Sequence, residues 1–211
     1  SANGGWENND DGRFSNDDAP AIQTLLELYK LTSDIRYLEK LNILVSKILS
    51  NDDINRGLID EHREKILPGW SSTRYTNDNS RTIFLMDDAL ILIPIIETFN
   101  YLKHKKVLIY TKDWLERAEK EFQEIYINEW INIDENRGYF QDIYYSKIGI
   151  NMPMNQIAVV GEFCAVLYEA TGKKIYKDYA IKTANYIKSN LIIDDDSYIW
   201  YYAKPSTNNP D

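Results

Sequence analysis

The loop at residues 68–75 combines residue types that can act on a sugar acid, because it carries Trp70, Arg74 and Tyr75. An arginine guanidinium binds a carboxylate through two parallel hydrogen bonds, and a tyrosine whose pKa is lowered by a neighbouring cation can transfer a proton. Arg74 and Tyr75 would therefore suit a lyase or an epimerase acting on a uronic acid. The alternative is an ordinary loop that Arg74 anchors through a salt bridge.

Asp87 and Asp88 form a second candidate group, since they interrupt an apolar stretch at residues 83–90. A buried carboxylate is costly unless it is paired or used, so at least one of the two is expected to face inward and to line a site. A glycoside hydrolase needs an acid together with a base or a nucleophile. We therefore predict Asp87, Asp88 and Tyr75 as the catalytic residues. Glu162, in a later apolar run, is a further candidate.

Aromatic residues are abundant, with 16 Tyr and 5 Trp, and many fall in predicted loops. The apolar C–H faces of a sugar ring stack on aromatic rings, so exposed aromatic side chains in a cleft suit a glycan. The alternative is that these rings close the ends of the hydrophobic core, with one edge buried and the other in water. On this basis the aromatic candidates for substrate binding are Trp70, Tyr139, Trp200 and Tyr202.

Two segments of the chain match each other and predict how the candidate residues are positioned. Residues 28–37 and 167–176 both read as the end of one helix, a Thr-Ser or Thr-Gly turn, and the start of the next helix at a Tyr. Apolar residues at helical spacing flank both turns. The pattern predicts a helical hairpin in the first third and another in the last third. Asp18 is the predicted N-cap of the first helix, with Pro20 in its first turn.

The middle third predicts a third hairpin without the Thr turn. Residues 83–103 read as one helix with a kink at Pro94, His104 to Lys106 as a turn, and residues 108–130 as a second amphipathic helix. A turn and a short extended segment are predicted after each hairpin, at 55–60, 136–141 and 195–200. Three long return segments are expected to gather where the first helix of each pair begins; they span residues 51–80, 131–154 and 192–211.

A helix ending in Leu-Tyr, a Thr turn and a Tyr at the next helix start resemble the α/α-toroid proteins of carbohydrate metabolism. That group includes six-hairpin glycosidases, polysaccharide lyases and the helical domain of glucuronyl epimerases. The resemblance implies substrate binding over the inner-helix N-termini, among the long loops. Asn155-Gln156-Ile157-Ala158 looks like an inner-helix start of the group, which adds Asn155 and Gln156 to the implied binding residues. Residues 198–202 resemble the aromatic strand that follows an outer helix there.

Composition and charge argue against several functions. The net charge is −9, whereas nucleic acid and anionic membranes attract basic surfaces. No apolar run approaches the roughly 20 residues of a membrane span. His62 and His104 are the only histidines and lie far apart, so neither a metal site nor a Ser-His-Asp triad is expected, and we predict no cofactor. The lone Cys164 is predicted to be a buried core thiol.

Together these observations predict an all-α protein of tandem helical hairpins that form an incomplete α/α toroid, with short β segments in the long loops. Residues 1–211 are expected to form a single domain, or a fragment of a larger toroid. The predicted function is glycoside hydrolysis, closely followed by uronate lysis or epimerisation, with a carbohydrate as partner. The alternative is a non-catalytic module that binds glycan or protein through its aromatic loops. The substrate class favours a secreted or periplasmic location, and the sequence leaves the oligomeric state open.

Overall fold

A computed structural model describes residues 6–103, 105, 111–195, 197–206 and 208. This part of the chain is 59% helix and 8% strand, which confirms the mostly helical prediction. Its helices are α1 Ala19–Thr32, α2 Ile35–Ser50, α3 Asp53–Arg56, α4 Leu85–Leu102, α5 Lys112–Glu124, α6 Ile143–Lys147, α7 Met154–Thr171 and α8 Lys174–Ser189. The short strands form two antiparallel pairs. One pairs β1 Trp130–Asn132 with β2 Gly138–Phe140, and the other pairs β3 Ile192–Asp194 with β4 Ser197–Ile199.

The Thr turns of the first and third hairpins have the same atomic construction. The hydroxyl of Thr32 donates to the carbonyl of Leu28 and accepts the backbone N–H of Asp34. In the third hairpin the hydroxyl of Thr171 makes the two equivalent bonds, to the carbonyl of Leu167 and from the backbone N–H of Lys173. Residue 33 in the first turn and Gly172 in the second both have left-handed backbone angles, which ends each helix after the Thr. The predicted repeat is therefore confirmed, and its cause is a local side-chain bond to the backbone.

The first helices of the three hairpins, α1, α4 and α7, are inner helices that run parallel, with α4 in the middle. The rings of Tyr29 and Tyr101 meet where α1 and α4 end, and Lys103 after α4 donates to the carbonyl of Glu169 near the end of α7. The second helices, α2, α5 and α8, return antiparallel to them. All three inner helices consequently begin at one end of the molecule.

The core lies around α4 and an aromatic cluster between the second and third hairpins. Most of α4 is buried, which agrees with its predicted apolar character, and Pro94 lies inside it with its carbonyl accepting the Thr98 hydroxyl. Phe122 of α5 contacts five aromatic rings, namely those of Tyr126, Phe140, Phe163, Tyr176 and Tyr179. Cys164 is fully buried beside this cluster, as predicted, and burial raises the pKa of its thiol.

Three predicted boundaries need correction. Asp18 does not cap α1, because the helical run begins at Arg13 and passes through a π-helical turn at Phe14–Asp18. Its carboxylate accepts the backbone N–H of Trp6 instead. The helix predicted at residues 108–130 ends at Glu124, since a 3-10 turn at Tyr126–Glu129 leads directly into β1. His104 and Leu108 lie outside the described residues.

The return segments differ from one another. The second and third contain the predicted extended segments, as β2 and β4. The first forms the one-turn helix α3, which ends at Gly57 with a left-handed backbone, followed by an isolated bridge between Asp60 and Lys65. Among the described residues, no helix combines the length and apolar character that crossing a membrane requires.

The equivalent positions Ser33 and Gly172 provide a test of the turn geometry. Both residues have positive φ, 56° and 69°, and only glycine adopts this conformation without cost. We expect Ser33→Gly to raise the free energy of unfolding by about 1 kcal/mol and Gly172→Ser to lower it by about the same amount. A Cβ at Gly172 meets no atom within 4 Å, so the effect is conformational. Urea unfolding of both variants measures it, and changes of equal sign would contradict this account.

Candidate functional site

A continuous chain of hydrogen bonds connects the solvent to a buried carboxyl at the end where the inner helices begin. The amide nitrogen of Asn16 donates to the Tyr75 hydroxyl at 3.2 Å and to the Ser15 hydroxyl at 3.2 Å. The Ser15 hydroxyl in turn donates to Asp87 at 2.9 Å. Tyr75 is exposed, whereas the side chain of Asp87 is only 3% exposed. The π-helical turn before α1 supplies Ser15 and Asn16, and the first turn of α4 supplies Asp87.

The environment of Asp87 favours its protonated form. Burial raises the pKa of this carboxyl to about 6, the hydrogen bond from Ser15 and the charge of Arg74 oppose the rise, and the charge of Asp142 adds to it. A carboxyl with a pKa near neutrality can both give and accept a proton, which is the property of a general acid or base. Asp87 is therefore the predicted catalytic residue whose surroundings best match that role.

Aromatic rings surround this end of α4. Tyr75 packs edge-on against Phe84 at 5.8 Å between centroids, and Phe84 contacts Tyr145 at 6.3 Å. The Tyr145 hydroxyl accepts a hydrogen bond from Gln156 in the first turn of α7. Burial raises the pKa of Tyr145 to about 12, with contributions from the charge of Asp142, from Tyr202 and from Asp87. The structure thus brings the predicted residues Tyr75, Asp87, Gln156 and Tyr202 to one region.

Arg74 lies on the ring of Tyr75, with its guanidinium carbon 5.1 Å from the ring centroid. The Arg74 side chain is exposed, and its hydrogen bond to a described residue goes to the carbonyl of Asp11. It therefore joins the same group, and most of its donors face solvent. The predicted salt bridge that would make it a simple loop anchor is not formed with any described residue.

A cleft of about 200 Å³ opens beside Ser15, between the three inner helices. Gln23 of α1 and Glu162 of α7 are the polar groups on its walls; Ala19, Pro20, Leu90, Ile93 and Pro94 complete it. Burial and the charge of Glu162 raise the pKa of the neighbouring Glu97, while a hydrogen bond with Gln23 opposes the rise. Glu162 is thus a second carboxylate on the inner surface. It lines the same cleft as Ser15, whose hydroxyl binds Asp87.

Asp88 points away from this site, which corrects its prediction as a catalytic residue. It is fully buried and accepts the backbone N–H of Trp70, and Gly69 approaches it so closely that a Cβ there would lie 2.5 Å from its carboxylate. Its other neighbour is the buried carboxyl of Glu121. Burial, and the proximity of Asp53 and Asp87, raise the pKa of Asp88 to about 8, while its hydrogen bond with Glu121 opposes the rise. Burial and the charge of Asp88 likewise raise the pKa of Glu121, so the core favours the protonated forms of both carboxyls.

Trp70 is also a core residue, so the structure argues against its predicted role in stacking on a sugar. Its side chain is 1% exposed, its indole N–H donates to the carbonyl of Ile48 at 2.8 Å, and the guanidinium of Arg117 lies over its ring. Trp200 makes the equivalent bond to Ile187, the repeat counterpart of Ile48, yet it is 46% exposed. The two tryptophans therefore bind equivalent carbonyls of their outer helices from different positions in the chain, and they differ in what covers them.

Of the remaining predicted binding residues, Tyr139 lies apart from Asp87, and Asn155 lies near Tyr202 at the start of α7. Tyr139 of β2 stacks on Tyr186 of α8, at 4.3 Å between centroids. Asn155 is exposed in the first turn of α7, next to Gln156. Tyr202 is exposed, and its backbone carbonyl accepts the N–H of Met154, where α7 begins.

Ser15 and Asn16 were missed by the sequence-based prediction. Helix-start patterns identified only the following residues, and a Ser-Asn pair before a helix is typical of a cap. Their contacts with Asp87 and Tyr75 join positions about 60 to 70 residues apart in the chain, so no local signal marks them. The sequence-based prediction also missed Phe84 and Tyr145. Their rings pack beside these groups, and no local signal marks them.

A comparison of the two tryptophans tests the assignment of Trp70 to the core. We expect Trp70→Phe to lower the free energy of unfolding by about 3 kcal/mol, because it removes buried ring atoms and the indole donor to the Ile48 carbonyl, which keeps only the N–H of Asn51. Trp200→Phe removes the equivalent bond in water, so the expected change is below about 1 kcal/mol. Denaturant unfolding of both variants measures the difference, and equal effects would contradict the assignment.

The carboxyl pair of Asp88 and Glu121 predicts a specific pH dependence of stability. Folding raises the pKa of Asp88 from its ordinary 3.8 to about 8, so the folded state binds more protons between these values. The free energy of unfolding therefore falls as the pH rises through that window. In Glu121→Gln the second carboxyl is replaced by a neutral amide, and we expect the fall between pH 6 and pH 9 to shrink by about 1–2 kcal/mol. An unchanged pH profile would contradict the coupling of the two carboxyls.

The described residues contain no group of three or more His, Cys, Asp or Glu side chains arranged to hold a metal ion. Comparison with known proteins gives no further guide to the chemistry. No protein-family model matches the chain, and no curated protein and no solved structure matches it either.

Proposed function

We propose that the protein is a carbohydrate-active enzyme that hydrolyses a glycosidic bond at the end where its inner helices begin. Asp87 is the general acid of this reaction, and its proton goes to the oxygen of the leaving sugar. The observation that supports the proposal best is the hydrogen-bond chain from exposed Tyr75 through Asn16 and Ser15 to Asp87. It links one buried, protonatable group to a surface lined with aromatic rings.

Glu162 is the proposed second carboxylate. It lies on the wall of the cleft that Ser15 also lines, and it is exposed. A glycosidase needs one carboxyl that protonates the leaving group and another that acts as base or nucleophile. Glu162 therefore activates water or attacks the anomeric carbon, while Asp87 protonates the leaving group.

The aromatic residues at this end supply the binding surface. Tyr75 and Tyr202 are exposed, and Arg74 lies against Tyr75, so flat apolar faces and hydrogen-bond donors occur side by side. This combination suits a sugar ring, whose faces are apolar and whose edge carries hydroxyl groups. The resemblance to α/α-toroid proteins supports the same location, and we propose that the three hairpins form part of such a toroid.

A uronate lyase or epimerase is the second candidate, and the placement of Arg74 favours it. The exposed Arg74 guanidinium has donors free for a sugar carboxylate, and the Tyr75 hydroxyl lies on the next residue. In this reaction Arg74 neutralises the carboxylate, which acidifies the neighbouring C–H, and Tyr75 accepts the proton from that carbon. In a lyase the proton passes to the leaving glycosidic oxygen as its C–O bond breaks and a C=C bond forms, and in an epimerase a proton returns to the opposite face of the same carbon. A lyase would release a product with an unsaturated ring that absorbs ultraviolet light.

The test is a screen of the wild-type protein against neutral and acidic polysaccharides and oligosaccharides, with products identified by mass spectrometry and ultraviolet absorbance. On the substrate that is turned over, we expect Asp87→Asn to lower kcat by about 100- to 10,000-fold. The wild-type rate should fall as the pH rises above about 6, where the Asp87 carboxyl loses its proton. Asp178→Asn, on the exposed surface of α8, is the control and should keep full activity.

The outcomes separate the candidates. Hydrolysis products with loss of activity in Asp87→Asn support the glycosidase, and an unsaturated product lost in Tyr75→Phe selects the lyase. Full activity in Asp87→Asn would contradict the role of Asp87. Binding of a glycan without turnover by the wild-type protein would contradict both enzymatic proposals and leave a binding module.

A further inference from the structure

The third hairpin has an open groove, whereas the equivalent surface of the first hairpin is covered. This groove, which we call the forward face, runs between α7 and α8 and has a volume of about 370 Å³. Small or aliphatic side chains make up most of its lining: Ala158, Gly161, Glu162, Ala165, Ala180, Ile181, Thr183, Ala184 and Ile187. Ile181 is 48% exposed.

The internal repeat shows what belongs on such a face. When Thr32 is aligned with Thr171, the α7 residues of the forward face correspond to residues 19, 22, 23 and 26 of α1, and all of these except Gln23 are buried. Those of α8 correspond to residues 41, 42, 44, 45 and 48 of α2, and all of these except Asn42 are buried. The second hairpin covers the first one there, since α4 packs on α1 and Trp70 donates to Ile48. In the third hairpin the equivalent surface is open.

The same contrast appears in the two tryptophans. Trp70 and Trp200 make equivalent hydrogen bonds to the outer helices, but Trp70 lies under the second hairpin and Trp200 is half exposed. Thr183 forms the floor of the groove, where it is 1% exposed and lies against Gly161.

The first hairpin carries the complementary surface, which we call the rear face. It consists of Pro20, Gln23, Thr24, Glu27, Leu28 and Leu31 on α1. Leu31 is 81% exposed. In α7 the counterparts of Thr24, Glu27 and Leu28 are Phe163, Val166 and Leu167, which are buried, and the Val166 carbonyl accepts a hydrogen bond from Asn100 of α4. A rear face therefore packs on a forward face at the α4–α7 junction.

We propose that the forward face of one copy binds the rear face of a second copy of this chain. The contact continues the α4–α7 junction across two molecules, with the protruding leucines of α1 seated among the alanines and Gly161 of the groove. Because neighbouring inner helices are parallel, the ends where the inner helices begin lie on the same side in both copies. The two faces include Pro20, Gln23 and Glu162, which also line the cleft beside Ser15, so this contact does not rest on the role proposed for Glu162 in hydrolysis. It uses two different surfaces and is therefore heterologous.

Sedimentation velocity and light scattering over a micromolar to millimolar range test this proposal. We expect the wild-type mass to increase with concentration beyond that of a single chain. Leu31→Lys alters only the rear face and Ala184→Lys only the forward face; each residue is exposed, so folding should be unaffected. Each variant alone should be monomeric, with association weakened at least tenfold. Ile43→Lys, at an exposed residue that lines neither groove, should associate like the wild type.

Mixing gives the decisive result. An equimolar mixture of Leu31→Lys and Ala184→Lys retains one intact pair of faces and should form a one-to-one complex. A wild-type protein that stays monomeric throughout the range would overturn the proposal and leave the groove to a different protein. Unchanged association of either single variant, or a mixture that stays monomeric, would equally overturn it.

Discussion

The buried guanidinium of Arg63 joins the segments that lead into α4 and α6. It forms ion pairs with Asp60 and Glu129 and donates to the carbonyl of Ile83. The same acids accept backbone N–H groups, Asp60 from Ile83 and Glu129 from Ile143. Burial opposes the charge on Arg63, but the surrounding carboxylates prevail and raise its pKa. Losing one partner from such a group leaves buried charge uncompensated, at a cost of about 3–5 kcal/mol.

This group determines where α4 begins, and therefore where the candidate site lies. Asp142, whose charge also acts on Arg63, accepts the backbone N–H of Leu85, so it caps α4 from a segment far along the chain. The first turn of α4 is held between that cap and the turn before α1. Asp87 faces one side of this turn and Asp88 the other, because consecutive helix residues point about 100° apart.

Sequence patterns predicted the parts of the fold that depend on local bonds. The Thr turns could be read because one hydroxyl makes both bonds within six residues, and the inner helices because apolar residues recur at helical spacing. The pattern also required a carboxylate of the pair at 87–88 to face inward. It could not separate Asp87 from Asp88, or Trp70 from Trp200, because those differences depend on which distant segment covers each side chain.

Asn16 gives the hydrogen-bond chain a direction. Its amide donates to the hydroxyls of Ser15 and Tyr75 and to the carbonyl of Gly12, and the Ser15 hydroxyl donates to Asp87. An amide passes no proton along, so the chain holds Asp87 and Tyr75 in place without conducting protons between them. A proton that leaves Asp87 must then be replaced by another route, which separates the charge state of this carboxyl from that of the exposed Tyr75.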